Sequence, residues 1–597
     1  MRSSTLLERC LLVVPLACAA ACSSTPSGAG AGGTGTGGSS AASTGGAASS
    51  SSSASTGSSS SSGSGGAAPA GAPVVLYTDI VSGPTSGGED DHGSYLAIFG
   101  KNFGKAGLGS TVRVRIGGVE VASYRSLGAS LGRSDIEQIT VQVGALGSPT
   151  PGTALPIEVA VNGVASSSSG PTFTPNPGRM LFVDNAEGDD ATAVPGDITH
   201  PFQHVQLPSS TKTALGVATA GDTVVMRGSS TPYTDLGDGQ DFVKVIDVGG
   251  SAPTGASGTG YLAFVAYPGE TVTIVNGKGG VSDGIAFSSF DHTSGGYTGG
   301  DFVTIAGLHI EGDGTAGVIA LQVASDHWRV VNNELSAPST GGVTVLAGGV
   351  NGDGTNMAIY GNSIHDITGA GGENHGVYMD GDGSYEVAYN VIYNIASGYG
   401  IQAYDDEGSS PTISHIHVHH NLVHDVTGKG CINLADGSAN DVAVWDNVCS
   451  RINLACLRFN STNLVAAQVF NNTFYDCGGG DTYDGAIDND SNELDAAAVT
   501  LTNNIVWAAT GTPYAGGSGD GFGATGVFTD NLWYNASSPP PGAGAVSAYP
   551  LFVAAGSDFH LGSGSPAVGA GSTSVASRVT SNFDLSPLAA SFDIGAY

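Results

Sequence analysis

Apolar and polar residues alternate in short runs along most of this chain, and the runs end at Gly, Pro, Asn or Ser. Two examples are VRVRIGGVEV at 112–121 and HIHVHHNLV at 415–423. Alternation with a period of two places every second side chain on the same face of a β-strand. Helix signals are few, and we expect only a short capping helix near 200–218. The pattern therefore predicts an all-β protein.

In the second half of the chain this alternation repeats around eight asparagines that are 25 to 32 residues apart. Most of them have apolar residues three and five positions before them. They are Asn333, Asn362, Asn390, Asn421, Asn447, Asn472, Asn504 and Asn531. A repeat of this length with short strands is typical of a solenoid with a continuous core. We expect each Asn to lie at a bend and to bond the Asn of the next coil, so that residues 178–597 form a parallel β-helix.

A different pattern covers residues 72–176, where strand-like runs such as PIEVAVNGV at 156–164 are broken by Gly, Pro and Ser. This pattern is typical of a small antiparallel β-sandwich. The stretches FGKNFG at 99–104, IGGV at 116–119 and GPTF at 170–173 resemble the IPT/TIG family of immunoglobulin-like domains. The resemblance implies a spacer or binding module and no chemistry.

Four segments of the solenoid region also match a known pattern. They are VDNAEGDD at 183–190, GDTVVMRG at 221–228, SPAVGAG at 565–571 and the terminal DIGAY. With the repeat, these segments resemble the right-handed β-helix superfamily that includes the pectate lyases. The expected fold class is therefore all-β, with a right-handed parallel β-helix, a solenoid, preceded by an immunoglobulin-like β-sandwich.

The first residues predict export. Arg2 and Arg9 precede the run LLVVPLACAAAC, which is short for a membrane span. This run ends at Cys22 and resembles a bacterial lipobox whose lipidated residue is that cysteine; the alternative is an ordinary secretory signal. We predict a lipoprotein-type signal peptide at 1–22 and a disordered tether rich in Ser, Gly and Ala at 23–71. We expect an exported monomer, anchored in the lipid bilayer of the bacterial outer membrane or cell surface.

The charge of the chain limits its partners. Acidic residues outnumber Lys and Arg by 52 to 18, which gives a formal net charge of −34. Such a charge repels phosphate backbones and excludes nucleic acid as a partner. It also opposes an acidic polysaccharide unless a cation such as calcium bridges the like charges.

A second short strand follows most of the repeat asparagines by about a dozen residues, and its outward positions are mostly polar. They include Tyr378, Gln402, Asn433, Arg458 and Asp488, and, two residues further on, Asp380 and Tyr404. His375, Lys429 and the acidic run of Asp405, Asp406 and Glu407 lie beside them. Polar and amide groups that converge with one Lys and one Arg are what a surface groove for a glycan needs. The structural alternative is that Arg458 and Asp488 simply pair across adjacent coils.

The resemblance to pectate lyases implies a calcium-assisted polysaccharide lyase, which we favour. β-Elimination removes the proton α to a uronate carboxylate, so the enzyme must neutralise the carboxylate and supply a base. In this hypothesis Lys429 is the base and Arg458 its partner. The calcium ligands would be Asp380, Asp405, Asp406 and Glu407. The residues that bind substrate would be His375, Tyr378, Gln402, Tyr404, Asn433 and Asp488.

Other functions remain open at this level. A glycoside hydrolase would use a carboxylate pair such as Asp405 and Asp406, and a uronan epimerase shares the first step of a lyase. A non-catalytic protein would only bind glycan or space other modules at the surface. Convergence of the acidic run, Lys429 and Arg458 in one groove would favour an enzyme.

Five histidines lie between residues 415 and 424. His415, His417 and His419 alternate with apolar residues and share the outer face of a strand, beside Glu386 of the adjacent coil. We favour variants of the repeat over a zinc site, because a closed site needs a further ligand. An aromatic stripe two positions before the repeat asparagines suits either sugar stacking or docking of the sandwich. Its members are Tyr360, Ala388, His419, Trp445 and Phe470.

Four cysteines lie in the solenoid region, and spacing does not select one of the three pairings. Cys431 and Cys456 occupy equivalent positions on adjacent coils. Adjacent strands lie about 4.8 Å apart, within reach of a disulfide, so this pair is a candidate bridge. Cys449 and Cys477 would then be buried free thiols.

Overall fold

The structure is a computed structural model. It describes residues 71–147, 149–150, 152–207, 210–234, 241–244, 255–256, 260–276, 284–288, 290–291, 296–297, 300–312, 318–323, 326–336, 348–353, 355–368, 374–380, 384–404, 412–435, 438–460, 467–480, 485–489, 499–516, 527–538 and 542–597. The predicted signal peptide with Cys22, and the tether up to residue 70, lie outside the described residues. No helix in the described ranges is long and apolar enough to cross a membrane.

The first part of the described chain is a β-sandwich of two sheets. The four-stranded sheet contains, in spatial order, Val74–Thr78, Tyr95–Lys101, Glu137–Gln142 and Ser123–Ala129. The six-stranded sheet contains Ser82–Pro84, Thr172–Asn176, Leu155–Val161, Val112–Ile116 and Val119–Glu120, with Val164–Ala165 beside Leu155–Val161. Alternating apolar residues meet between the sheets, where Ile98, Phe103 and Phe173 are fully buried.

From Met180 onward the chain forms a right-handed parallel β-helix; the repeat predicts the parallel solenoid, and the resemblance implies its hand. Successive coils supply strands to three parallel sheets, here called sheets 1, 2 and 3 in chain order. Sheet 1 contains Met180–Val183, Thr223–Met226, Leu262–Ala266, Val303–Ala306, Arg329–Val331, Met357–Tyr360, Tyr385–Ala388, Thr412–His419, Ser438–Trp445, Ala467–Phe470, Val499–Thr502 and Val527–Thr529. Sheet 2 contains Tyr233–Thr234, Thr273–Asn276, His309–Gly312, Glu334–Ser336, Ser363–Ile367, Val391–Ile395, Leu422–Val426, Val448–Ile452, Thr473–Cys477, Ile505–Ala508, Leu532–Tyr534 and Val546–Ser547. Sheet 3 contains Asp241–Lys244, Gly284–Ser288, Val318–Val323, Gly348–Asp353, Val377–Asp380, Ile401–Tyr404, Ile432–Ala435, Leu457–Asn460, Ile487–Asn489 and Ala515–Gly516.

The remaining elements are short. They are the antiparallel pairs Phe290–Asp291 with Gly296–Tyr297 and Phe552–Ala554 with Asp558–Leu561, the α-helix Ala214–Val217, and the 3-10 turns Glu89–Asp91 and Thr573–Val575. The α-helix lies within the predicted capping region. Thr213 caps it, because its hydroxyl oxygen accepts a hydrogen bond from the Gly216 N–H at 3.2 Å.

The repeat asparagines form a buried ladder at the bend between sheets 1 and 2. Asn390 is typical: its Nδ2 donates to Oδ1 of Asn421 at 2.9 Å and to the carbonyl of Ile359 at 2.9 Å. Its backbone N–H also donates to Oδ1 of Asn421, at 3.1 Å. The ladder therefore satisfies backbone groups that the bend takes out of the sheets. His420, the residue before Asn421, has a φ of 54°, so the bend uses the left-handed conformation even without glycine.

Protein covers much of the outer face of sheet 1. Tyr77 of the sandwich stacks on Tyr389 at a ring distance of 5.3 Å and contacts Tyr360 of the aromatic stripe at 5.6 Å. Further along the solenoid, Phe470 of the stripe packs in one apolar cluster with Val579 and other residues of the C-terminal segment. Of the two predicted uses of the stripe, docking is therefore the one that the described contacts support.

The structure contradicts the expected disulfide. Cys431 is bonded to Cys449, and Cys456 to Cys477, with Cα–Cα distances of 6.2 and 5.5 Å. Cys431 and Cys456 do lie at equivalent positions, since the Ile432 N–H bonds to the carbonyl of Cys456. All four side chains are buried, and each bridge joins the beginning of a sheet 3 strand to a sheet 2 strand of the next coil. Spacing shows that two cysteines are neighbours but does not show that both point into the coil.

Candidate functional site: the outer face of sheet 3

A polar column runs along the outer face of sheet 3, where the sequence predicts it. Tyr378, Gln402, Asn433, Arg458 and Asp488 are register partners on five successive coils. Their neighbours on either side along each strand, such as Val377, Met379 and Ile401, belong to the solenoid core. Alternation therefore turns the column away from the core, as a strand with one buried face requires.

The column is less open than the predicted surface groove. Gln402, Asn433 and Asp488 are 5%, 2% and 0% exposed. Coils stack about 4.8 Å apart, so each side chain is flanked by those of the coils before and after it. The site is therefore a set of covered polar positions, with Tyr378 and Arg458 as its partly exposed members.

Arg458 and Asp488 pair across adjacent coils, as the structural alternative predicts. The Nε of Arg458 lies 3.0 Å from Oδ2 of Asp488. The Arg458 Nη1 also donates to the hydroxyl of Tyr399 at 2.6 Å. Because Asp488 is fully buried, removing either charge would leave the other without its main counter-charge in a desolvated position. The guanidinium is thus held in one orientation at this face.

Lys429 and Arg458 converge on the same aromatic residue. The Lys429 Nζ lies 5.2 Å from the centre of the Tyr399 ring, within the range of a cation–π interaction. Arg458 bonds the hydroxyl of that ring. The two predicted catalytic cations therefore lie in one site. Tyr399 was missed at the sequence level, although it precedes the inward Ile401 by the same two residues by which His375 precedes Val377.

His375 joins this cluster through stacking and one directed hydrogen bond. Its ring stacks on Tyr378 at 5.4 Å and on Tyr399 at 5.8 Å. Its Nδ1 accepts a hydrogen bond from the backbone N–H of Tyr399 at 3.0 Å. A backbone N–H can only donate, so neutral His375 carries its proton on Nε2.

Two neighbouring amides of the column carry unsatisfied acceptors. The side-chain oxygens of Gln402 and Asn433 are buried and accept no hydrogen bond from any described residue. A buried acceptor without a donor costs about 1–3 kcal/mol. Two such acceptors on adjacent coils are positions where water or a ligand can supply the donors.

The calcium site stays a prediction, because most of its expected ligands are not described. Asp405, Asp406 and Glu407 lie outside the described residues. Asp380 and Tyr404 are register partners at the end of their strands, and only their backbone is described. Among the described residues, no group of three or more His, Cys, Asp or Glu side chains could hold a metal ion.

The histidine cluster of 415–424 is used in packing. Glu386 is the register partner of His417, as expected, yet its Oε1 lies 3.2 Å from His419 Nε2. Burial raises the pKa of Glu386, but hydrogen bonds from His419 and Tyr360 outweigh it and lower this pKa to about 2. Burial lowers the pKa of His420 well below its usual value, and its ring meets the C-terminal segment at the Asn582 carbonyl, 3.2 Å away.

Comparisons with known proteins add little to this picture. No protein-family model matches the chain, and no curated protein matches it significantly. Among solved structures, the chain is similar to pectate lyase Pel9A, with 13% identity, a TM-score of 0.38, and coverage of 70% of this chain and 96% of that one. It is also similar to the catalytic domain of a GH87 alpha-1,3-glucanase in complex with tetrasaccharides, with 11% identity, a TM-score of 0.26, and coverage of 81% and 97%. Because both scores are well below 0.5, the fold described above rests on this chain's own strand pairing.

Proposed function

We propose that the outer face of sheet 3 between Tyr378 and Asp488 binds a polysaccharide, and that the chain cleaves it there by β-elimination. The observation that carries this proposal is the pair of buried, unsatisfied amide oxygens of Gln402 and Asn433. Sugar hydroxyl groups are donors that would satisfy them. The column runs along the solenoid, so an extended polymer lying on it meets a new side chain at each coil.

The aromatic cluster supports a saccharide as ligand. His375 and Tyr378 stack on each other, and Tyr378 is partly exposed. The apolar face of a sugar ring packs well against such rings, while the amides beside them fix its hydroxyls. Saccharide recognition needs both kinds of group at once, and this column supplies both.

The two cations give the site its chemistry. Once Lys429 has given its own proton to water, its amine removes the proton α to a uronate carboxylate, the bond between the β-carbon and the glycosidic oxygen breaks, and a carbon–carbon double bond forms. The proton stays on Nζ, and the electron pair leaves with the glycosidic oxygen. Arg458, oriented by Asp488 and Tyr399, offsets the charge that grows on the carboxylate. Calcium held by Asp380, Asp405, Asp406 and Glu407 would add further positive charge for the carboxylate.

A second candidate is non-catalytic glycan binding. Arg458 already bonds to Asp488 and Tyr399, which is what a purely structural ion pair would also do. For both candidates, the N-terminal sequence pattern supports a further proposal about where the protein is located. The chain would be exported and lipid-anchored through Cys22, with the tether presenting the site away from the bilayer.

The test uses the purified chain with polygalacturonate, alginate and glucuronan, each with calcium and with a chelator. We expect a rise in ultraviolet absorbance from the unsaturated product with at least one polymer. Lys429→Ala should lower the rate about 100-fold or more while polymer binding persists, since general-base catalysis contributes about 10²–10⁴-fold. The matched control is Lys212→Ala, which removes an exposed lysine elsewhere. Absence of both absorbance and new reducing ends would reject catalysis, and retained binding would then favour the second candidate.

A further inference from the structure

A cavity of about 340 Å³ lies between the sandwich and the solenoid, on the sheet 1 side of the molecule. One wall is the outer face of the four-stranded sheet, with Ala97, Gly128 and Thr140 among its residues. The other wall is formed where sheet 1 strands turn towards sheet 2, around Ala266 and Gly307. Small residues on both walls leave this space unfilled, and its volume is within the range of small-molecule sites.

A buried carboxylate with one open oxygen lines this cavity. Asp79 is 8% exposed. Its Oδ1 accepts hydrogen bonds from the N–H groups of Ile80 and Ala97 at 2.7 and 2.9 Å. Its Oδ2 accepts no hydrogen bond from the described residues, so this oxygen can accept one from a ligand.

Thr140, another residue of the lining, offers a hydrogen-bond donor beside the acceptor of Asp79. Thr140 accepts from Gln138 Nε2 at 3.0 Å through its Oγ1, which leaves the threonine hydroxyl proton for another acceptor. A ligand that both donates, to Asp79, and accepts, from Thr140, is a polyhydroxylated one. The same wall thus selects against a purely apolar ligand.

Aromatic rings close one side of the cavity in a fixed position. Tyr95 and Tyr267 meet edge to face with ring centres 5.4 Å apart. Both hydroxyls donate to the same oxygen of Glu89, at 2.6 and 3.0 Å. Their hydroxyls are therefore engaged, and the rings are what the cavity offers to a ligand.

The charge of the lining favours a neutral ligand over an anion. Glu270 is neutralised by two hydrogen bonds from Arg227, at 2.7 and 2.9 Å. His309 lies 2.7 Å from the carboxylate of Glu334. Asp79 forms no ion pair with a described residue, and Arg329 reaches only its backbone carbonyl, to which the Arg329 Nε donates at 3.3 Å. The lining therefore offers an anionic ligand no unpaired cation in direct contact.

We propose that this cavity is a second carbohydrate site, which takes a neutral sugar unit between the sandwich and the solenoid. The site shares no residue with the face of sheet 3, so it goes beyond the proposed function and can fail separately. An open acceptor, a free hydroxyl donor and fixed aromatic rings in a cavity of this size are the groups that hold a sugar ring.

The test is saturation-transfer NMR and titration calorimetry on the full chain with cellobiose, maltose, laminaribiose, xylobiose and mannobiose, and with digalacturonate as an acidic probe. A blocking variant is Gly128→Leu, because a Cβ at 128 meets nothing within 4 Å and enters open space. Gly170→Leu adds the same side chain at a sandwich position outside the cavity, where a Cβ meets nothing closer than 3.5 Å, and is the matched control. Melting curves verify that both variants fold.

We expect at least one neutral disaccharide to bind the wild type and Gly170→Leu, and not Gly128→Leu. Asp79→Asn keeps an oxygen for the two backbone N–H groups and should weaken binding about tenfold or more, as loss of a charged hydrogen bond does. Gln402→Met, on sheet 3, should leave this binding unchanged. The inference is overturned if no neutral disaccharide binds, if Gly128→Leu binds like the wild type, or if binding is lost in Gln402→Met instead.

Discussion

Sheets 1 and 3 belong to the same coils, yet their outer faces have opposite character. The outward residues of sheet 1 include Tyr360 and Phe470, which are covered by the sandwich and by the C-terminal segment. The outward residues of sheet 3 include Gln402 and Asn433, whose side-chain oxygens lack hydrogen-bond donors among the described residues. The contacts of the sheet 1 face stabilise the fold. The unsatisfied oxygens of the sheet 3 face cost stability, and they lie at positions suited to a ligand. The repeated inward residues determine the fold, and the outward side chains determine whether a face packs against protein or is suited to a ligand.

The largest expected effect comes from breaking the covered face. Tyr77→Ala removes a ring that is 3% exposed and stacks on Phe99 and Tyr389. Loss of a large buried ring should lower the free energy of unfolding by about 3–5 kcal/mol, measured by chemical denaturation. Tyr378→Ala, the matched change on sheet 3, should cost clearly less because this ring is partly exposed. Equal losses would show that the two faces do not differ in this way.

The disulfides should support sheet 3 rather than sheet 1, because both tie sheet 3 strands to sheet 2. Replacing Cys456 and Cys477 by Ser should lower the free energy of unfolding by about 2–4 kcal/mol, as expected for a loop of this length. Peptide mapping by mass spectrometry without reduction should recover Cys431 with Cys449. A fragment that joins Cys431 to Cys456 would contradict the pairing.

Asp79 at the junction of sandwich and solenoid should make stability depend on pH. Burial raises the pKa of this carboxyl to about 7. Its folded pKa lies above the ordinary value, so its contribution is fully present below about pH 4 and is lost as the pH rises through 7. The loss should amount to roughly 4 kcal/mol, since each unit of difference in pKa corresponds to about 1.4 kcal/mol. Asp79→Asn should make the free energy of unfolding, measured by denaturation at pH 4 to 8, depend less steeply on pH. An unchanged dependence would mean that other groups cause it.

The smallest effect should have the opposite sign. Gln402→Met replaces an amide with a buried, unsatisfied oxygen by an apolar chain of similar length. It should raise the free energy of unfolding by about 1 kcal/mol, because the cost of the unsatisfied group disappears. Asn421→Leu is the control, since that amide is fully bonded within the ladder and should destabilise instead. Destabilisation by both changes would mean that Gln402 is satisfied in solution.

The repeat made the fold predictable, because a solenoid copies one local rule many times. The asparagine ladder, the inward positions of sheet 3 and the alignment of Tyr378, Gln402, Asn433, Arg458 and Asp488 all follow from register, which spacing reveals.

What spacing does not reveal is contact between distant parts of the chain. Tyr399 escaped notice because its role depends on Lys429 and Arg458 from later coils. The disulfides were assigned to the wrong partners because side-chain direction at the start of a strand is not set by alternation. The cavity at Asp79 depends on how two domains meet, and no local pattern in either domain encodes it.

The most direct test of the difference between the two faces is retention of a uronic-acid polymer by variants of each. Gln402→Met combined with Asn433→Leu changes sheet 3, and Tyr360→Phe changes sheet 1, each measured by affinity electrophoresis beside the wild type. We predict that the sheet 3 variant migrates freely through polymer-containing gels while the sheet 1 variant is retarded like the wild type. Retardation of the sheet 3 variant to the wild-type extent would contradict the assignment of the polysaccharide site to this face.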